Sequence, residues 1–174
     1  MTTNYLNTIA ELMAVAARTA PKGMGMDFIK TEIVQGDSLI KLGEAMKAYG
    51  AKTGKKNFDR DGNNISNSGA VLLIGLKDGK SVGLNCGACG NDTCAGLPTA
   101  KEGPECKGPH CAYRLIDLGI ALGSAAKTAS LLNADNRIMY RVGAAARQIK
   151  LIDADVVLGI PLSATGKSIY FDRG

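Results

Sequence analysis

Residues 70–76, AVLLIGL, run through seven consecutive positions without a polar side chain. A strand with one wet face alternates apolar and polar residues. A run without alternation suits a central strand covered on both faces. Residues 155–162, DVVLGIPL, read as a second buried strand, closed by Pro161. Residues 28–34, FIKTEIV, are β-branched and roughly alternating, and read as a third.

Helical patterns surround these strands. Residues 5–20, YLNTIAELMAVAARTA, place Leu6, Ile9, Met13, Ala16 and Ala17 at helical spacing before Pro21, Gly23 and Gly25 end the run. Gly36-Asp37-Ser38 reads as a turn and N-cap for a helix over 38–50. Residues 51–69 are polar and rich in Asn, Gly and Lys, and are expected to be a surface loop or short helix. Asp78-Gly79 marks a turn before a short extended piece at 81–84. Residues 112–132 form the longest predicted helix, apolar nearly all round, so it is expected to be buried. Gly119 and Gly123 on it mark tight helix packing or a dimer seam. Residues 136–142 suit strand or helix equally, and 143–152 read as helix. With no internal repeat or linker, residues 1–174 are expected to form a single α+β domain.

Composition excludes several classes. The chain has 174 residues, 45% apolar and 21% charged, which excludes a disordered chain or a small stapled scaffold. Its net charge of +5 is spread without a Lys/Arg run, and five Tyr, three Phe and no Trp make a poor base-stacking surface. No nucleic-acid partner is expected. No apolar stretch reaches the roughly 18 residues of a membrane span, and Met1–Glu11 has neither a basic region nor an apolar signal core. The expected location is cytoplasmic, with no membrane partner.

All five cysteines fall between positions 86 and 111. An odd number crowded there, without an export signal, points to metal ligation rather than disulfides. Cys86, Cys89 and Cys94 give C-x2-C-x4-C in a glycine-rich loop. A fourth thiolate from a later turn, Cys106 or Cys111, would close the site. Gly87 and Gly90 permit the tight turns that aim backbone N–H groups at sulfur. Three-plus-one spacing suits an iron–sulfur cubane; zinc, which usually takes two pairs, is the alternative. Lys77, Lys80, Lys101, Lys107, His110 and Arg114 lie near in sequence and are available to offset the negative charge of a thiolate-bound cluster. Lys107 is expected to favour the thiolate of its neighbour Cys106. Asp117, Asp153 and Asp155 read as helix-surface and turn residues, and His110 as an exposed loop residue.

The stretch NCGACGNDTC resembles the four-cysteine [4Fe–4S] motif of the corrinoid iron–sulfur protein and of the electron-transport subunit that carries the same domain. That resemblance, C-x2-C-x4-C-x16-C, assigns Cys86, Cys89, Cys94 and Cys111 as ligands and leaves Cys106 over, within an embedded loop spanning 85–111. From ELMAVAARTAPKG through IDLGIALGSAAKTASLLNADNR to DADVVLGIPLSATGKS, the chain is similar to a family of ferredoxin-domain-containing proteins from anaerobic bacteria and archaea. Ala16-Ala17-Arg18-Thr19-Ala20-Pro21, the apolar strand, the small-residue helix and the late proline-ended strand also resemble nitroreductase-type flavoproteins. That likeness implies a nitroreductase-like core, a homodimer and FMN at the dimer interface. Lys22 stands where that family has Ser, and its N-terminal Arg-Ser-x-Arg signature is absent from Met1–Glu11.

Basic residues flanking loops at the ends of core elements, Arg18, Lys22 and Lys167, are the candidate flavin-phosphate contacts. Arg137 and Arg141 are further candidates, or else solvated or dimer-interface charges. The expected function is an iron–sulfur redox protein passing single electrons to a flavin or a redox protein partner. An iron–sulfur carrier, sensor or docking module without flavin or substrate is the alternative. If the protein is an enzyme, it is a flavin- or cluster-dependent oxidoreductase, with Cys106 the candidate reactive thiol.

Overall fold

The computed structural model describes residues 5–171; residues 1–4 and 172–174, the outer ends of the N-terminal and tail segments read above, lie outside the described residues. In chain order the elements are α1 (Tyr5–Thr19), β1 (Ile29–Val34), α2 (Asp37–Thr53), α3 (Phe58–Ser66), β2 (Ala70–Leu76), β3 (Lys101–Glu102), β4 (Lys107–Gly108), α4 (Ala112–Leu131), β5 (Asp135–Asn136), α5 (Tyr140–Gln148) and β6 (Val156–Ser163). Single 3-10 turns lie at Gly23–Gly25 and Cys94–Gly96.

The main sheet has the order β1-β2-β6-β5, and every neighbouring pair is antiparallel. β2 sits inside it, and all seven of its residues are buried. Leu72, Ile74 and Leu76 pack with α1 and α4 on one face. Val71 and Leu73 point the other way, into a core shared with α2, α3 and α5. Successive strand side chains alternate faces, so a strand with helices on both sides needs apolar residues throughout. β3 and β4 form a separate two-stranded hairpin.

Two readings left open resolve and two fail, each for a physical reason. Residues 51–69 take the short-helix form, as the nine-residue α3, and its glycine, Gly62, is a packing residue. A side chain at Gly62 would meet the carbonyl of Gly43 at 2.7 Å, so the two glycines let α2 and α3 cross closely. Residues 136–142 divide between the two readings: Asn136 ends β5, Met139 bridges to Gly159, and α5 begins at Tyr140 and ends at Gln148, short of the expected 152. The expected extended piece at 81–84 forms no strand. The last concerns α4, which is buried on one face only. Leu118, Ala121, Leu122 and Ala125 are buried, whereas Ile116, Gly119, Ile120 and Gly123 lie exposed in one stripe. A Cβ added at Gly119 or Gly123 would have nothing within 4 Å.

No helix among the described residues is long and apolar enough to cross a membrane.

The contact between α5 and β6 depends on one missing side chain. A Cβ on Gly143 would run into the carbonyl oxygen of Val157, which is backbone in the sheet and cannot swing away. Gly143→Ala is expected to lower stability by about 3 kcal/mol despite the better helix propensity of alanine, measured by denaturant unfolding.

Candidate functional site

The segment between β2 and α4 carries all five cysteines, none of them in a disulfide. It is built on turns. Gly83, Asn85, Gly87 and Gly90 have φ of 87°, 49°, 73° and 82°, a region open to glycine and tolerated by asparagine. Nothing lies within 4 Å of a Cβ built on Gly87 or Gly90, so conformation, not space, demands glycine there. Gly90 donates its N–H to the carbonyl of Gly87 at 2.9 Å and closes a tight turn around Cys89. Asn85 clamps Cys94 twice. Its Oδ1 accepts the Cys94 N–H at 2.8 Å, and its own N–H donates to the Cys94 Sγ at 3.4 Å.

These turns bring Cys86, Cys89 and Cys94 onto one narrow cavity. Cys111 and Ala112 line it as well, with Ala88 and Leu97 adding apolar surface. Cys111 is the buried N-cap of the twenty-residue α4, so the positive end of that helix faces the cavity, where it favours negative charge. Asn91 directs its side-chain N–H toward the Cys89 Sγ at 3.7 Å and the Cys89 carbonyl at 3.3 Å. That hydrogen bond holds the Cys89 thiol below its ordinary pKa. Among the described residues, no three His, Cys, Asp or Glu side chains gather around a point that a single ion would occupy. The four thiols border a space instead.

Both approaches to the cavity are tied to one buried ion pair. Arg114, fully buried in the first turn of α4, lies 2.9 Å from Asp117. Its Nη1 also donates to the Gly23 carbonyl at 2.8 Å and its Nε to the Lys80 carbonyl at 2.7 Å. The other Asp117 oxygen accepts the Gly23 N–H at 2.8 Å, and the guanidinium stacks 4.8 Å over Phe28. Asp117 is therefore no surface residue, and Arg114 is not available to balance a cluster. Asp155 is buried as well and accepts the Asp78 N–H at 2.8 Å. The sequence signal for the pair was an i,i+3 Arg/Asp spacing on an apolar helix; its partner at Gly23 lies 94 residues from Asp117 and left none.

Cys106 lies apart, in the turn joining β3 to β4, and does not line the cavity. Arg147 latches this hairpin to α5 and β6, donating to the carbonyls of Glu105 at 2.8 Å and Ala154 at 2.7 Å and pairing with Glu102 at 3.0 Å. Burial against this junction pushes the Cys106 thiol up, although the residue as a whole is exposed. The expected help from Lys107 is not realised. Its Nζ turns to Asp155 at 3.5 Å and Asp78 at 3.8 Å, because those carboxylates flank the end of β2. His110 is half-buried, with its Nε2 2.7 Å from the Lys107 carbonyl.

The three candidate phosphate cations are dispersed. Lys22 directs its amine to the carbonyls of Ala17, Arg18 and Ala20, each at 2.7 Å, capping the C-terminus of α1. Burial holds that amine below its ordinary pKa. Arg18 pairs with Asp27 at 2.5 Å and donates to the Ile29 carbonyl at 2.7 Å. Lys167 is exposed in the bend after β6. Arg137 lies over Phe171 at 5.4 Å, and Arg141 pairs with the buried Asp61 at 3.0 Å, so Arg141 is structural rather than solvated.

Fold and site together define a nitroreductase-like α+β frame with a cysteine loop set into it. A nitroreductase with bound FMN from Desulfitobacterium hafniense matches 92% of this chain and 79% of its own, with a TM-score of 0.59 at 13% identity. The nitroreductase CinD from Lactococcus lactis in complex with chloramphenicol matches 93% and 79%, with a TM-score of 0.61 at 14% identity. At such identities the likeness is one of fold. An uncharacterised protein of Archaeoglobus fulgidus is 50% identical over 165 residues, covering 94% of this chain and 89% of its own. The family model described as "Uncharacterized protein containing a ferredoxin domain" matches residues 107–173, which include Cys111. The chain belongs to this family of ferredoxin-domain-containing proteins.

The position of Cys106 has a chemical consequence. The thiolate is the reactive form, and desolvation disfavours it. Cys106 is expected to alkylate with iodoacetamide at pH 8 more slowly than a free cysteine in a model peptide, read by site-resolved mass spectrometry.

Proposed function

We propose that this protein is an iron–sulfur redox protein holding one [4Fe–4S] cluster on Cys86, Cys89, Cys94 and Cys111. The observation that carries the reading is the meeting of these four thiols on one cavity while Cys106 lies outside it. The donor set suits a cubane, with one thiolate for each iron corner. The α4 N-terminus supplies a favourable field for a net negative group, and Gly87, Gly90 and Asn85 supply the turns that wrap it. When bound, such a cluster takes up and releases single electrons. The chain's own residues orient the sulfurs, hold hydrogen-bond donors on them and cover them with Ala88, Leu97 and Ala112. In this reading the chain is a single domain with 85–111 embedded in it, and its redox counterpart is another protein.

FMN is not part of the reading. Lys22 has all three of its donors on backbone carbonyls, Arg18 is held by Asp27, and Lys167 stands apart on the exposed bend. These residues do not fit a phosphate cradle. This favours the module without flavin.

The ligand set is tested by anaerobic purification and assay of iron, acid-labile sulfide, zinc and flavin. Serine at Cys86, Cys89, Cys94 or Cys111 is expected to abolish iron retention, and Cys106→Ser to leave four irons per chain. Stoichiometric zinc without sulfide would replace the cluster with a structural metal. Iron kept in Cys111→Ser but lost in Cys106→Ser would exchange the two ligands.

The reading includes a homodimer formed on the exposed α4 stripe. Ile116 and Ile120 there are 51% and 42% exposed, and Gly119 and Gly123 beside them leave room for a close neighbour. Replacing both glycines with alanine would stabilise an isolated helix by about 1 kcal/mol each. In a seam the same methyl groups hold the copies apart. Gly119→Ala/Gly123→Ala is expected to shift the protein toward monomer in analytical ultracentrifugation while leaving its cluster intact. A native protein that is monomeric at micromolar concentration would remove the dimer.

A further inference from the structure

We infer that Asn91, which supplies no ligand atom itself, is a positioning residue that raises the reduction potential through the sulfur of Cys89. The inference rests on the cluster reading above. The Asn91 amide spans one ligand: its Nδ2 lies 3.3 Å from the Cys89 carbonyl and 3.7 Å from the Cys89 Sγ. Local backbone puts it there. Gly90, at φ 82°, reverses the chain between the two residues, and the Gly90 N–H on the Gly87 carbonyl fixes the turn. Asn91 also lines the cavity alongside Cys89 and is half-buried, so water competes less for the amide than it would at an open loop tip.

A hydrogen bond to sulfur strengthens as the sulfur gains negative charge. One-electron reduction adds one unit of negative charge and makes or breaks no bond to Asn91. A donor held on the Cys89 sulfur therefore stabilises the reduced form more than the oxidised one, and removing it makes reduction harder. Cys94 is served differently, because the donor on its sulfur is the backbone N–H of Asn85, which survives side-chain replacement. The Asn91 donor is a side chain, so substitution isolates its effect.

The test compares native protein with Asn91→Leu, both purified without oxygen, by potentiometric titration with mediator dyes and a one-electron chemical reductant, followed by electron paramagnetic resonance. Full iron and sulfide content is expected in both. At a fixed potential the reduced-to-oxidised ratio of the leucine variant should fall about tenfold, equivalent to about 59 mV for a one-electron couple. Asn91→Gln, which keeps the amide, should recover part of the shift. An unchanged potential at full iron content would overturn the proposal. If leucine loses the iron, Asn91→Ala is read by the same criterion, and iron loss from both variants would make the residue purely structural and also overturn it. Absence of a cluster from the native protein would be a different failure, that of the cluster reading itself, and would remove this inference with it.

Discussion

The buried pair of Arg114 and Asp117 governs how the rest of the molecule is placed. It begins in the first turn of α4, with Arg114 three residues beyond Cys111, and reaches the Gly23 turn after α1 and the Lys80 carbonyl after β2. Lys80 lies just past the end of β2, where the chain enters the cysteine loop, and Cys111 is where it returns. One side-chain pair thereby sets both ends of that excursion. Burying two charges contributes little net stability, since desolvation offsets most of the attraction. Removing one partner is another matter, costing about 3–5 kcal/mol because the other charge stays behind unpaired. What the pair supplies is specificity of position.

That anchoring matters because the loop has almost no core of its own. None of residues 77–110 is buried. Its order comes from left-handed turns, the Asn85 clamp and the Arg147 latch on the hairpin, each a local interaction worth on the order of 1 kcal/mol. A segment held this way is much less stable than the sheet it leaves. Ligation would add a cross-link among four points of one chain, so binding and ordering of the loop become one event. The frame below depends on neither, because its two cores close on both faces of β2 without help from the loop.

The frame has one open side. The buried face of α4 is lined with small residues that let α1 approach, and the opposite face carries Ile116 and Ile120 with glycines between them. The helix that presents Cys111 to the cavity is the same helix that carries this stripe. A second copy seated there would sit close to the start of the helix, and so to the four thiols of the cavity.

Much of this was legible in the sequence. β2 was readable to the residue because a strand covered on both faces has no other way to be written. The cysteine spacing was equally plain, since three thiols in nine residues have few geometries. Three things needed the tertiary structure. The packing role of Gly62 in α3 was invisible because its partner, Gly43, lies on another helix. Asp117 looked solvated because its bonding partner, Gly23, sits on another element. Lys22 and Arg18 looked like free cations until their acceptors were in place. Periodicity and spacing record what a residue does within its own element, and those were determined by the sequence alone. Which distant group meets a buried charge or a bare backbone is decided only when the layers close, because burial and hydrogen-bond partners are properties of the assembled fold.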